Sequence, residues 1–306
     1  MKPENSIDRK LIYKRLGIYL LLAFGLVWIP DFLYYWTGHP YADANGDIAP
    51  GTSVLLGLSM LCPTIAVLIT RTLTKEGISL TEAQAPNSLR LGIYFKNGKW
   101  KWLLLAILFP SIYWTIGELM TLAIFPQCFD PTEYQKAGIG PLTLFLLPLA
   151  GIINGIVLSV GGLGEEIGWR TYLYPKLEQL FGLKKALLLG GFIWSVWHWP
   201  VIYYGHNFGT GYWGEPYTGF AAFTLFCIAD GILLYFVVRK SGSVWSAAFL
   251  HAINNSNYSS LRLLINPEKL PGILAETPFS TTLVLSGTLM IAAVIFFLPP
   301  KFWQEK

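Results

Sequence analysis

Eight stretches of this chain are apolar over roughly twenty residues each, at about 15–36, 51–70, 102–125, 142–163, 183–204, 217–238, 243–261 and 281–299. A helix of about 20 residues is what crossing the hydrocarbon core of a bilayer requires. Within lipid the backbone amides and carbonyls must be satisfied inside the segment itself, so such runs are helices by necessity. The fold expected is therefore all-α, a polytopic transmembrane helical bundle of about eight spans. Composition agrees. Hydrophobic residues make up 53% of the chain and charged residues only 13%, about half the share in an ordinary soluble domain.

The placement of the basic residues gives the expected orientation. Lys2, Arg9, Lys10, Lys14 and Arg15 precede the first run, and Arg71, Lys75, Arg90, Lys96, Lys99 and Lys101 lie in the second connection. Arg170, Lys176, Lys184 and Lys185 fall in the fourth connection, Arg239 and Lys240 in the sixth, and Lys301 and Lys306 in the tail. Only Lys136, Arg262 and Lys269 fall on the other side. By the positive-inside rule both termini face the cytoplasm, which calls for an even number of spans. The net charge of +4 is thus a topology signal. It forms no basic stripe, and no nucleic-acid partner is expected.

The first apolar run resembles a signal peptide but continues to Trp36 without an A-x-A cleavage site, and is read as a retained span. Cys62, Cys128 and Cys227 are scattered, so no disulfide framework follows. With no internal repeat, one integral-membrane domain over 1–306 is expected, its motif-bearing core at about 142–261.

Ionisable groups inside a bilayer are costly, which makes each a candidate for function. The segment GGLGEEIGWRTYLYP at 161–175 holds Glu165, Glu166 and Arg170. Neighbouring helical positions point about 100° apart, so the two carboxylates have different surroundings. Glu166 and Arg170 are spaced i, i+4 and can pair. Glu165 is left to face elsewhere, and a partly desolvated carboxylate without a cation suits a general base. His198 sits deep in an aromatic span, WSVWHWP at 194–200, and His251 and Asn255 share a face of HAINN at 251–255. The other histidines, His39 and His206, fall in outer loops. One carboxylate, two imidazoles and an amide are the parts of a water-activating hydrolytic centre. Glu118 and Asp230 either line a cavity or act as hydrogen-bonded helix glue, and Asp31, beside Pro30, is expected at the interface; all three stay outside the catalytic set.

EEIGWR resembles the E-E-x-x-x-R motif of the type II CAAX prenyl endopeptidases and their bacterial relatives, the CPBP (Abi) group of intramembrane proteases. His198 matches their F-x-x-x-H motif, with Trp194 where the family usually has Phe, and His251 with Asn255 matches H-x-x-x-N. Thr171 stands where many members have Gly. The resemblance implies an intramembrane endopeptidase in which Glu165 activates water with help from His198, and His251 and Asn255 stabilise the oxyanion. The Glu166–Arg170 pair would orient the site, with Trp194 in support. A rival chemistry uses Glu165, His198 and His251 as ligands of Zn²⁺ with an open water position, as in a metalloprotease; the metal-free version is the one expected here. The implied partner is a peptide or protein reaching the membrane, either a lipidated CAAX tail or a bacterial peptide of the immunity type, and the implied location is a bacterial cell membrane. Two other readings compete, a transporter and a membrane scaffold that does not use its motif residues. Transporters commonly show inverted repeats of broken spans, and none is seen here.

Overall fold

The computed structural model describes residues 8–42, 47–256, 259–280 and 286–304. All the regular structure among them is helical: α1 Arg9–Trp36, α2 Pro50–Ser59, α3 Cys62–Leu73, α4 Trp100–Ile124, α5 Thr132–Ala137, α6 Pro141–Gly168, α7 Tyr174–Phe181, α8 Leu183–Tyr203, α9 Tyr217–Ser241, α10 Val244–Ser256 and α11 Ser286–Phe297. Six helical stretches are long and apolar enough to cross a membrane, among them Pro50–Leu73, which joins α2 to α3, and Pro141–Phe181, which joins α6 to α7. The chain is an integral, multi-pass membrane protein. The expected segments at 243–261 and 281–299 contain α10, of 13 residues, and α11, of 12; residues 257–258 and 281–285 lie outside the described residues.

Lipid-facing and inward-facing sides separate cleanly along α1 and α6. On α1, Ile12, Leu16, Tyr19, Ala23, Val27, Asp31 and Tyr35 are buried, one stripe at i+3 and i+4 spacing, while Leu21, Ile29 and Leu33 are exposed. Asp31 falls on that stripe and is fully buried. Helical phase thus turns Asp31, near the outer end of α1, inward to the bundle.

On α6 the inward stripe is Gly151, Gly155, Ser159 and Gly162, with Phe145, Leu149, Ile153, Val157 and Val160 left outward. Small residues let helices approach closely where no hydrophobic force drives them together. A Cβ on Gly155 would lie 2.4 Å from the Ile253 Cα, and one on Gly162 3.0 Å from the Ala248 carbonyl oxygen. This approach fixes α10 against α6, and α9 is fixed against α8 in the same way at Gly191, where a Cβ would lie 2.5 Å from the Ile228 Cα.

Between α6 and α7 the backbone widens into a π-helical turn at Trp169–Leu173. Such single-turn insertions are frequent at functional sites. The rod Pro141–Phe181 then reverses at Gly182, whose φ of 80° suits a residue without a side chain. Glu165 lies about 24 Å before the end of the rod, and His198 about 22 Å after the start of α8, at 1.5 Å per residue. The antiparallel return therefore brings them to one level.

Candidate active site

Glu165, His198, His251 and Asn255, from α6, α8 and α10, line a single cavity of about 430 Å³. Glu166 and Arg170 do not line it; both are fully buried behind it. The sequence-expected division between a free and a paired carboxylate thus has a spatial counterpart.

The Oε2 atom of Glu165 accepts hydrogen bonds from the Trp194 indole at 2.9 Å and the Trp169 indole at 3.4 Å. Two neutral donors fix the carboxylate without neutralising it, and its other oxygen remains available on the cavity side. Glu166 Oε1 forms an ion pair with Arg170 Nη1 at 3.2 Å and meets His251 Nδ1 at 2.8 Å. A carboxylate accepts, so Nδ1 of His251 carries a proton, and Nε2 is the ring nitrogen left for a ligand. His198 Nδ1 lies 2.9 Å from the Trp194 carbonyl. A carbonyl only accepts, so Nδ1 donates, and the neutral ring presents a lone pair at Nε2. The two imidazoles are thereby prepared for different tasks by what holds their Nδ1 atoms.

Trp194 does more than keep the aromatic character of the family's Phe position. Its indole is a donor to Glu165, its ring lies 3.9 Å from the Arg170 guanidinium carbon, and its ring contacts those of His198 and His251 edge-on. Thr171, where Gly is common in the family, donates to the Ile167 carbonyl at 2.6 Å inside the π turn.

The other intramembrane acids are placed apart from the cavity. Glu118 accepts from the Ser259 hydroxyl and ties α4 to the segment after α10, which is the helix-glue alternative. Asp230 is fully buried on α9, with both oxygens lacking a hydrogen-bond partner among the described residues. Among those residues no three His, Cys, Asp or Glu side chains are gathered so as to hold a metal ion. Glu165, His198 and His251 each have one polar atom held by a protein partner, Oε2 in the glutamate and Nδ1 in the two imidazoles, and the Nε2 atom of each imidazole has no such commitment.

Sequence reasoning missed two contributors. Asn254, buried beside Asn255, lines the cavity while its Oδ1 accepts from the Tyr113 hydroxyl at 2.6 Å and the Trp114 indole at 3.2 Å. HAINN contains both amides, but the motif spacing selects only the second. His206 also lines the cavity, although it follows α8 in a connection. Burial pushes its imidazole down to about 4, so the ring is neutral near pH 7, and it lies 2.6 Å from the Tyr41 hydroxyl. No local signal marks it, because its approach depends on the segment around Tyr41 and the connection 204–216 meeting at the same end of the bundle. His39 stays exposed, stacked on Tyr34.

Residues 140–257 match the family model described as Type II CAAX prenyl endopeptidase Rce1-like. CAAX prenyl protease 2 of Methanococcus maripaludis is 28% identical over 143 residues, which cover 46% of this chain and 48% of that protein. The chain thus spans about half the length of the curated relative it matches. The matched stretch runs from the start of α6 to the end of α10, and so contains every cavity residue that the three motifs supply.

Proposed function

We propose that a chain with this relationship and this cavity is an intramembrane endopeptidase that hydrolyses a peptide bond with water activated by Glu165. The observation that carries the reading is the convergence of Glu165, His198, His251 and Asn255 on one cavity, with Glu166 and Arg170 sealed behind it.

In this reading a water molecule binds between the free oxygen of Glu165 and Nε2 of His198, both acceptors. Glu165 takes its proton as the oxygen attacks the peptide carbonyl, and His198 holds the second hydrogen in place. Charge then develops on the former carbonyl oxygen. Nε2 of His251 and the Asn255 amide donate to it, which requires His251 to be protonated at both nitrogens. Glu166 supplies the matching negative charge at Nδ1, and Arg170 holds Glu166. Preorganised donors of this kind commonly contribute about 3–4 kcal/mol each to lowering the barrier. Glu165 returns its proton to the leaving amine. No step is routed through a metal.

The substrate is read as a peptide or protein segment that reaches the membrane, and the two substrate types named above differ in whether a lipid enters with it. The bundle end that carries Arg9, Arg239 and Lys301 is read as cytoplasmic, in a bacterial cell membrane.

The test is N-terminal peptide mapping of the membrane proteome in cells expressing wild type or Glu165→Gln, followed by cleavage of an identified peptide in proteoliposomes. Glu165→Gln abolishes cleavage with folding intact, and a zinc chelator leaves the wild-type rate unchanged. Full cleavage by Glu165→Gln would sink the mechanism, and chelator-sensitive cleavage restored by Zn²⁺ would replace it with the metal-dependent one.

A further inference from the structure

Beyond the four residues proposed for catalysis, the cavity extends to the end of α8, where His206 and Asn207 line it. His198 lies about 8 Å before that end, at 1.5 Å per residue. Much of the wall is apolar, with Val27, Val201, Phe223 and Phe226 contributing. Several of its polar side chains spend their donors on the fold. The Ser59 hydroxyl donates to the Leu55 carbonyl at 2.8 Å, the Trp197 indole to the Ala23 carbonyl at 3.0 Å and the Trp114 indole to Asn254 at 3.2 Å.

His206 differs. Its backbone is fixed by the cap of α8, where its N–H donates to the Val201 carbonyl at 2.9 Å just after Gly205 turns the chain at a φ of 106°. The Tyr41 hydroxyl lies 2.6 Å from Nδ1. A phenol is a better donor than a neutral imidazole N–H, so the hydroxyl donates and the ring proton sits at Nε2. Nε2 has no protein partner among the described residues, and the ring borders the cavity. Loss of water around the ring keeps it neutral near pH 7. It therefore offers an uncharged N–H, suited to a carbonyl oxygen more than to a counter-charge.

A peptide entering such a cavity brings backbone carbonyls that an apolar wall leaves unmatched, and each unmatched group is costly. The oxyanion donors serve the carbonyl under attack, so a flanking carbonyl needs a donor elsewhere. We propose that Nε2–H of His206 donates a hydrogen bond to a backbone carbonyl of the substrate peptide beside the scissile bond, which makes His206, held by Tyr41, a substrate-binding residue. This assignment rests on the endopeptidase reading above.

The test uses full-length protein in proteoliposomes and a peptide that wild type cleaves and Glu165→Gln does not. His206→Asn keeps an amide where Nδ1 stands, and with it the bond to Tyr41, but loses the group at Nε2. His206→Gln places its amide nitrogen near the position of Nε2. His206→Asn raises KM about tenfold with a much smaller change in kcat, the mark of binding lost equally in ground and transition states. His206→Gln returns KM to within about threefold of wild type. A purely structural bond to Tyr41 gives the opposite order, with asparagine rescuing and glutamine failing, and that order overturns the proposal. Exchanging the peptide's backbone amides one at a time for esters, whose carbonyls are weaker acceptors, finds one position that raises KM for wild type and not for His206→Asn; the lack of any such position overturns the carbonyl contact. Without Glu165-dependent cleavage of any peptide the endopeptidase reading falls, and this assignment with it. Glu165-dependent cleavage with KM unchanged in His206→Asn overturns this assignment alone.

Discussion

Glu76, whose side chain is 7% exposed, and the buried Glu165 both hold carboxylates against aromatic side chains, and their surroundings differ in one respect. Glu76, after α3, meets Lys176 at 2.5 Å, Arg15 at 3.6 Å and the Tyr172 hydroxyl at 3.2 Å. Its charge is matched on the spot, and the cluster ties α1, α3, the π turn and α7 together. Among the described residues Glu165 accepts hydrogen bonds from two indole N–H groups, and it lines a cavity. Taking a carboxylate out of water costs several kcal/mol unless a partner offsets it. At Glu76 the offset is made within the fold; at Glu165 part of it is left for whatever enters the cavity. A buried acid that is fully paired holds structure, and one left partly unpaired beside a cavity is available for chemistry.

Exchanging the two perturbations gives the sharpest test. Glu165→Gln should lower the cleavage rate by at least 100-fold, within the range of roughly 10²–10⁴ for a lost general base, and leave the unfolding temperature near wild type. Glu76→Gln should do the reverse. It leaves Lys176 and Arg15 unmatched at a cost of about 3–5 kcal/mol, seen as a lower unfolding temperature with turnover retained in the folded fraction. If both variants lost activity in proportion to folded protein, the distinction between the two glutamates would collapse.

Removing an oxyanion donor is the next largest effect. His251→Ala or Asn255→Ala should each reduce kcat by on the order of 100- to 1,000-fold with a smaller change in KM, as measured on a cleaved peptide in proteoliposomes. A change confined to KM would move these residues from the transition state to ground-state binding.

The smallest effect concerns Trp194. Trp194→Phe keeps a ring under Arg170 but removes the donor to Glu165. A hydrogen bond to a charged group contributes about 1.5–3 kcal/mol, so a loss of roughly tenfold or somewhat more is expected. Trp194→Leu should lose more, because the ring contacts with Arg170 and His251 go as well. Equal rates for the phenylalanine and leucine variants would show that the ring does not matter, and wild-type rates in both would show that the donor does not matter either.

Much of the site was legible in the sequence because helical spacing is local. The i, i+4 relation of Glu166 to Arg170 and the different outlook of Glu165 follow from 3.6 residues per turn, and the structure shows both. The lengths of α1, α4, α8 and α9 follow from apolar runs matched to bilayer thickness. The burial of Asp31 follows from the same rule, through the stripe that runs from Ile12 to Tyr35.

What required the tertiary structure was contact between segments far apart in the chain. The level at which His198 meets Glu165 depends on the π turn and on α7 extending the rod before the reversal at Gly182. The partner of His251 is Glu166, 85 residues away, because glycines on α6 admit the α10 backbone. His206 reaches the cavity beside Tyr41 through the folding of two connections. Periodicity and transfer energy are properties of a single segment, so the sequence carries them directly. Which side chains face each other across a cavity is set by helix approach distances and loop paths, which depend on many residues at once.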